Sequence, residues 1–148
     1  MTTITVPTNR SAVLPVRVLE GVIALNGALA AALLLAPRTV RAPLDYAFFG
    51  YPIAPDFAGE TARSAADIYA VIASGITLGW MIALFGLVRT GVARGDRTAW
   101  TFAFAAVLLW FAGDSAASIA VGYPVNAVLN VAFAAPLLGT LPWARPAR

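Results

Sequence analysis

The sequence predicts an all-α integral membrane protein, a four-helix up-down bundle with both termini in the cytoplasm. Three observations lead there. The chain is 60% hydrophobic and 11% charged over 148 residues, whereas a soluble domain carries about 25% charged residues. Four apolar stretches, 15–36, 65–88, 99–121 and 125–141, each approach the ~20 residues a helix needs to cross a hydrocarbon core, the last being the shortest. The connections between the second and third, and between the third and fourth, are short, which makes consecutive helices antiparallel neighbours.

The distribution of arginine, the only basic side chain in a sequence without lysine, sets the expected orientation. With an even number of spans, Arg10, Arg17, Arg89, Arg94, Arg97, Arg145 and Arg148 share one side. Arg38, Arg41 and Arg63 lie on the other, balanced by Asp45, Asp56 and Glu60. The positive-inside rule places the first set in the cytoplasm. The net charge of +3 therefore reports topology and contact with anionic lipid rather than nucleic-acid binding, because the arginines sit in short juxtamembrane segments.

In chain order, residues 1–14 are polar and rich in threonine and read as a cytoplasmic tail. Pro15 suits the first turn of helix one, where a missing N–H is harmless. That helix carries Glu20 one to two turns in and Asn26 near its centre, both unusual in lipid. Arg10, Arg17 and Ala28-Leu29-Ala30 also resemble a cleaved signal, but an apolar run reaching residue 36 is long for one, and the helix is read as retained. Glu20, one turn from Arg17, reads as an interfacial ion pair, and Arg89 as a snorkelling anchor.

The connection 37–63 holds Pro37, Pro43, Pro52 and Pro55 together with Tyr46, Phe48, Phe49, Tyr51 and Phe57. It is expected to be an extracytoplasmic loop, since so many prolines preclude one regular helix. Its aromatic residues suit an interfacial belt, and a ligand-gating lid is the functional alternative. Helix two begins with Asp67 and contains Gly75-Ile76-Thr77-Leu78-Gly79, a spacing that permits close helix approach and is expected to serve packing within the bundle. Helix three carries Asp114, helix four Asn126 and Asn130, and 143–148 form a second cytoplasmic tail. The segments from Asp67 to Gly75 and from Asp114 to Gly122 share D-x-x-A-x-I-A-x-G. Their different depths mark an alanine-rich coincidence rather than an inverted repeat.

Asp114 is the residue that asks for a function. A charge near the middle of a transmembrane helix costs roughly 2.5 to 3.5 kcal/mol on insertion scales, so such residues face a protein interior or a water-filled cavity. Asp114 is expected roughly 12 Å below the outer end of its helix, at 1.5 Å per residue. Asn126 and Asn130, at i,i+4, and Ser118, one turn from Asp114, fall in the same outer half. Lipid offers no hydrogen bonds, so these groups must find one another or water. Interhelical adhesion is the plain reading of the asparagines. For Asp114 a functional role is the better reading, because a serine would join helices at lower cost.

With no histidine, cysteine or lysine in the sequence, thiol chemistry, Schiff bases, Ser-His triads and ordinary zinc or haem ligation are excluded. No metal and no cofactor is expected. What remains is proton chemistry, hydrogen bonding or hard-cation binding by carboxylates, hydroxyls and amides. Asp114 and Asp67 are the candidate catalytic pair, and Asn126, Asn130, Ser118, Trp110 and Tyr69 the candidate ligand-binding residues. Trp80 and Trp110 lie deep enough to line an apolar pocket, although bundle core is the plainer reading. Trp100, Tyr123 and Trp143 at span ends fit an aromatic belt.

Asp67 early in span two, the arginine loop, Trp110-Phe111-Ala112-Gly113-Asp114-Ser115 and Gly122-Tyr123-Pro124-Val125-Asn126 together resemble small bacterial four-helix membrane proteins. The DoxX-like proteins and those encoded beside biphenyl-degradation genes are of this type. The resemblance covers mainly residues 64–130; it implies the fold and a location in the bacterial cytoplasmic (inner) membrane, and transfers no catalytic residue. Three functions are compatible with these readings. The first is binding of a lipophilic small molecule, with acid-catalysed isomerisation, epoxide opening or cyclisation. The second is an accessory subunit of a membrane complex, in contact through Gly75 and Gly79, and the third a proton-linked transporter acting as a homo-oligomer.

Overall fold

The computed structural model describes residues 13–49 and 55–147, and within them the side chains of all but 47–49, 55–63, 65 and 66. Five α-helices follow in order: α1 (Val13–Leu35), α2 (Pro37–Phe49), α3 (Pro55–Thr90), α4 (Arg97–Ala120) and α5 (Pro124–Trp143). A single 3-10 turn at Val92–Arg94 joins α3 to α4, and no strand occurs among the described residues. Four helical segments there are long and apolar enough to cross a membrane: Val13–Leu35, Asp67–Arg94, Arg97–Ala120 and Pro124–Trp143. They fit a multi-pass membrane protein, and the fourth, marginal in the sequence, has 20 residues.

The expected loop 37–63 is mostly helical, because its prolines fall where helices tolerate them. Pro37 opens α2 and Pro55 opens α3, where a missing N–H breaks no intrahelical bond. Pro37 also ends α1, since it has no hydrogen to give back to the preceding turn. Pro43 lies inside α2 but on its exposed face, where water can serve the carbonyl it leaves unpaired. The opposite face, Val40, Arg41, Leu44 and Asp45, turns inward. The N-terminal tail through residue 12, with Pro52 and Tyr51, lies outside the described residues, as do the side chains of Phe48, Phe49 and Phe57.

Each span buries one stripe. On α1 it runs through Val16, Leu19, Glu20, Ile23, Gly27 and Ala30, the i,i+3/i+4 spacing of one helical face. On α4 it is Ala99, Ala103 and Val107, and on α5 Asn130, Ala134, Leu137 and Leu141. Helix α1 packs most extensively against α3, and α4 against α5, with α1 and α5 joining the two pairs.

Among the described residues, the main apolar cluster lies at one end. Val16, Leu19, Ile23, Met81, Leu84, Val88, Val92, Ala99, Ala103, Val107, Leu137 and Leu141 form one cluster, all from the end of the bundle where α1 begins and α5 finishes. Small residues on α4 let it approach closely there. Gly91 permits the tightest contact: a Cβ on it would overlap that of Ala99. Asp96 accepts hydrogen bonds from the backbone N–H groups of Thr98 and Ala99 and caps α4. Trp100 donates its indole N–H to the Leu141 carbonyl at 2.7 Å, stacks on Phe104 and lies beneath the Arg145 guanidinium. Trp100 therefore clamps α4 to α5, in addition to occupying a span end.

At the same end Glu20, buried on α1, pairs with Arg17 at 3.0 Å and with Arg89 of α3 at 3.2 Å. Arg89, read from the sequence as a snorkelling anchor, is thus also a partner of Glu20 across two helices. Gly75 and Gly79 depart from expectation too: among the described residues, nothing beyond their own helical backbone comes within 4 Å of a Cβ built on either, and both are exposed. They do not mediate packing within the bundle.

Candidate functional site

Towards the α2 end the apolar core gives way to polar side chains and space. Gly122, at φ 88°, adopts the left-handed conformation that glycine tolerates best and reverses the chain between α4 and α5. Pro124 then starts α5. This tight reversal places the first turns of α5 beside the last turns of α4, so that residues only 12 and 16 apart in sequence meet side chain to side chain.

Asp114 Oδ2 accepts from Asn130 Nδ2 at 2.6 Å and from Asn126 Nδ2 at 3.1 Å. Asn126 Nδ2 also donates to Ser118 Oγ at 2.7 Å, and Asn130 Nδ2 to Ser115 Oγ at 3.2 Å. Ser118 returns its own hydrogen to the Asp114 carbonyl at 2.7 Å. Asn130 is 4% exposed and Ser118 is buried, while Asp114 and Asn126 are half-buried. The amide groups are oriented by this network, since each N–H finds an oxygen.

The network borders a half-open cavity of about 380 Å³, lined by α1, α3, α4 and α5. Asp114, Asn126, Asn130 and Asn26 provide its polar wall, and Leu33, Met81, Phe133 and Leu137 much of its apolar one. Trp80 and Trp110 face each other across α3 and α4, with ring centroids 5.3 Å apart at 46°, and both line the cavity. Their role is lining as well as packing. A second cavity of about 440 Å³ lies under α2, bounded by Arg41, Leu44, Asp45, Ser118 and Tyr123, and shares Leu33, Ala73, Ser74 and Asn126 with the first.

Asp67 belongs to a different group. Its Oδ2 accepts from Arg38 Nε and its Oδ1 from Arg41 Nη1, both at 2.9 Å, and Arg41 Nε reaches Asp45 at 3.1 Å. Two guanidiniums and two carboxylates form an electrically neutral clamp that fastens α2 to α3. Asp67 does not line the Asp114 cavity; Ser74, which does, lies two helical turns further along α3. The structure therefore unites Asp114, Asn126, Asn130 and Trp110 at one cavity, sets Ser118 at its junction with the second, and leaves Asp67 outside. Tyr69 is 71% exposed and lines neither cavity.

Three polar wall residues are absent from the sequence candidates: Asn26, Ser74 and Thr77. Their signal is the same as that of Asn126, a polar group deep in an apolar span, but Asn26 and Ser74 bond to backbone carbonyls of their own helices, Val22 and Ala70. Among the described residues, no group of three or more histidine, cysteine, aspartate or glutamate side chains lies close enough to hold a metal ion.

No protein-family model matches the chain, and no match was found among curated proteins or solved structures. Function has to be read from the site itself.

Proposed function

We propose that the protein is a multi-pass protein of the bacterial cytoplasmic membrane, with both termini inside, that binds a lipophilic small molecule in the cavity beside Asp114. The carrying observation is a hollow of about 380 Å³ between four helices, with a hydrogen-bonded carboxyl on an apolar, aromatic wall. Its volume falls in the range of small-molecule sites, which combine mostly apolar lining with a few converging polar groups. The arginines gathered at the core end, Arg17, Arg89, Arg94, Arg97 and Arg145, support the orientation. The resemblance to small bacterial four-helix proteins agrees with it.

Asp114 is the one acid among the described residues of this wall, and proton donation or hydrogen bonding is the chemistry it offers. Isomerisation, epoxide opening or cyclisation would draw on that chemistry. Because Asp67 is held by Arg38 and Arg41, it supplies no second acid to the site, and binding is the function the geometry supports best.

Titration of the protein in phosphatidylcholine nanodiscs with 1-bromoadamantane, a neutral lipophilic quencher, tests this reading. Saturable quenching is expected that diminishes in Trp80→Phe and Trp110→Phe and disappears in Ala30→Phe, which fills the cavity from α1. Unsaturable quenching, equal in all variants, overturns it.

A second reading, a subunit of a larger assembly, is favoured by Gly75 and Gly79, whose exposed positions leave room for another helix. In that case Gly75→Leu and Gly79→Leu lower the mass of the particle extracted in mild detergent. An unchanged mass removes it.

A further inference from the structure

We propose that the ligand of the Asp114 cavity is a lipophilic amine, bound as its ammonium ion; this rests on the binding function proposed above and adds the charge and donor character of the ligand.

The polar groups beside Asp114 leave acceptors open. Asn126 and Asn130 commit their N–H groups to Asp114 Oδ2, Ser118 and Ser115. Asp114 Oδ1, Asn126 Oδ1 and Asn130 Oδ1 receive no hydrogen bond from the described residues. Asn130 is 4% exposed, so its oxygen has little water to turn to. Three open acceptors thus gather beside Asp114, while the donors that the lining keeps are one Asn26 N–H, the Thr77 hydroxyl and the indole N–H groups of Trp80 and Trp110. An ammonium carries up to three N–H donors and no acceptor; an alcohol has one donor, and a carboxylate ligand has none.

Charge selects the same ligand. Asp114 is the only charged side chain among the described residues that line this cavity. The guanidinium among the described residues lining the neighbouring cavity, Arg41, is already bound to Asp45 and Asp67. A half-buried carboxylate among largely apolar side chains gains from a counter-charge, and the described lining provides none. The two indoles add a surface suited to a cation: Trp80 and Trp110 face each other at a tilt, and indole is the best aromatic partner for positive charge. The apolar body of the ligand would lie against Leu33, Met81 and Leu137, all on the same cavity wall.

Three probes of one shape separate the possibilities: 1-adamantylammonium, 1-adamantanol and adamantane-1-carboxylate. Each is titrated by calorimetry into the protein in phosphatidylcholine nanodiscs, with empty nanodiscs subtracted. The ammonium is expected to bind about ten- to hundredfold more tightly than the alcohol, the range for a hydrogen bond to a charged partner, and to displace it. Asp114→Asn should abolish the preference of the ammonium over the alcohol, and Asp114→Glu should restore part of it. Equal affinities, a preference for the carboxylate, or a preference that survives in Asp114→Asn overturns the proposal. If the alcohol saturates and Ala30→Phe removes its binding, while the ammonium gains nothing, only the amine assignment falls. If no probe saturates, the binding function falls with it. Competition between ammonium and alcohol on the unsubstituted protein decides between the two ligands without reliance on the folding of any variant.

Discussion

Asn130 on α5 donates to Asp114 on α4 at 2.6 Å, the shortest side-chain contact between the two helices among the described hydrogen bonds. It joins a residue that is 4% exposed to the one acid of the cavity, so a single contact both fastens the helices and orients the carboxyl. Interhelical hydrogen bonds in membrane proteins average about 0.6 kcal/mol and reach about 1.7 kcal/mol.

Asn130→Ala should therefore destabilise the protein by about 1 to 2 kcal/mol, near the top of that range, because it also removes the bond to Ser115. Asn126→Ala should cost less, since its contact to Asp114 is 3.1 Å. Reversible unfolding in mixed micelles measures both. A coupling energy near zero in a double-mutant cycle with Asp114→Ala would show that the contact contributes nothing to stability.

Much of this is legible in the sequence, and the part that is not has physical causes. The spans can be read because about 20 apolar residues have few alternatives to a membrane helix. The association of Asp114 with Asn126 and Asn130 can be read because i,i+4 spacing and a short reversal leave them few other partners. Helix α2 is hidden by its prolines, which mark a loop unless it is known that Pro37 and Pro55 begin helices and Pro43 faces outward. With α2 taken for a loop, the partners of Asp67 are lost as well, since Arg38 and Arg41 reach it only from a helical face. The cavity is illegible for another reason: it depends on how side chains from four helices fail to fill a space, which no single periodicity records.

Glu20 and its two arginines offer a test of redundancy. Arg17 and Arg89 are 61% and 53% exposed in their side chains, while Glu20 is 9% exposed. Arg17→Met or Arg89→Met alone leaves the carboxylate one partner, and each should cost less than about 1 kcal/mol. Both together strand a buried charge and should cost about 3 kcal/mol or more. Glu20→Met removes the charge itself and should lie within about 1 kcal/mol of the parent. Additive losses in the two arginine variants would contradict this account.

Gly91 is required by contact rather than by backbone conformation, since its φ of −108° is open to any residue. A methyl group there would overlap Ala99 and come within 2.9 Å of the Leu87 carbonyl. Gly91→Ala should destabilise by about 1 to 3 kcal/mol, as overpacking does, through separation of α4 from the end of α3. Adding Ala99→Gly removes the worse overlap and should recover most of the loss. No recovery in the double variant would place the strain elsewhere.

Arg41 holds α2 in place by bridging Asp45 and Asp67, with its side chain only 16% exposed. Arg38, 80% exposed, adds a surface contact of the kind that contributes little. Arg41→Gln should thus cost about 2 kcal/mol, less than the 3 to 5 kcal/mol for breaking a fully buried pair, whereas Arg38→Gln should be nearly silent. The loss should be local: amide exchange in α2 rises while that of the buried stripes of α1 and α5 is unchanged. Because the cavity beneath α2 shares Ser74 and Asn126 with the Asp114 cavity, a loosened α2 should also speed both binding and release of a ligand without changing its affinity. Faster exchange of 1-bromoadamantane in Arg41→Gln, with an unaltered saturation point, is the expected result; altered affinity at unchanged rates would show that α2 is part of the binding wall and not its cover.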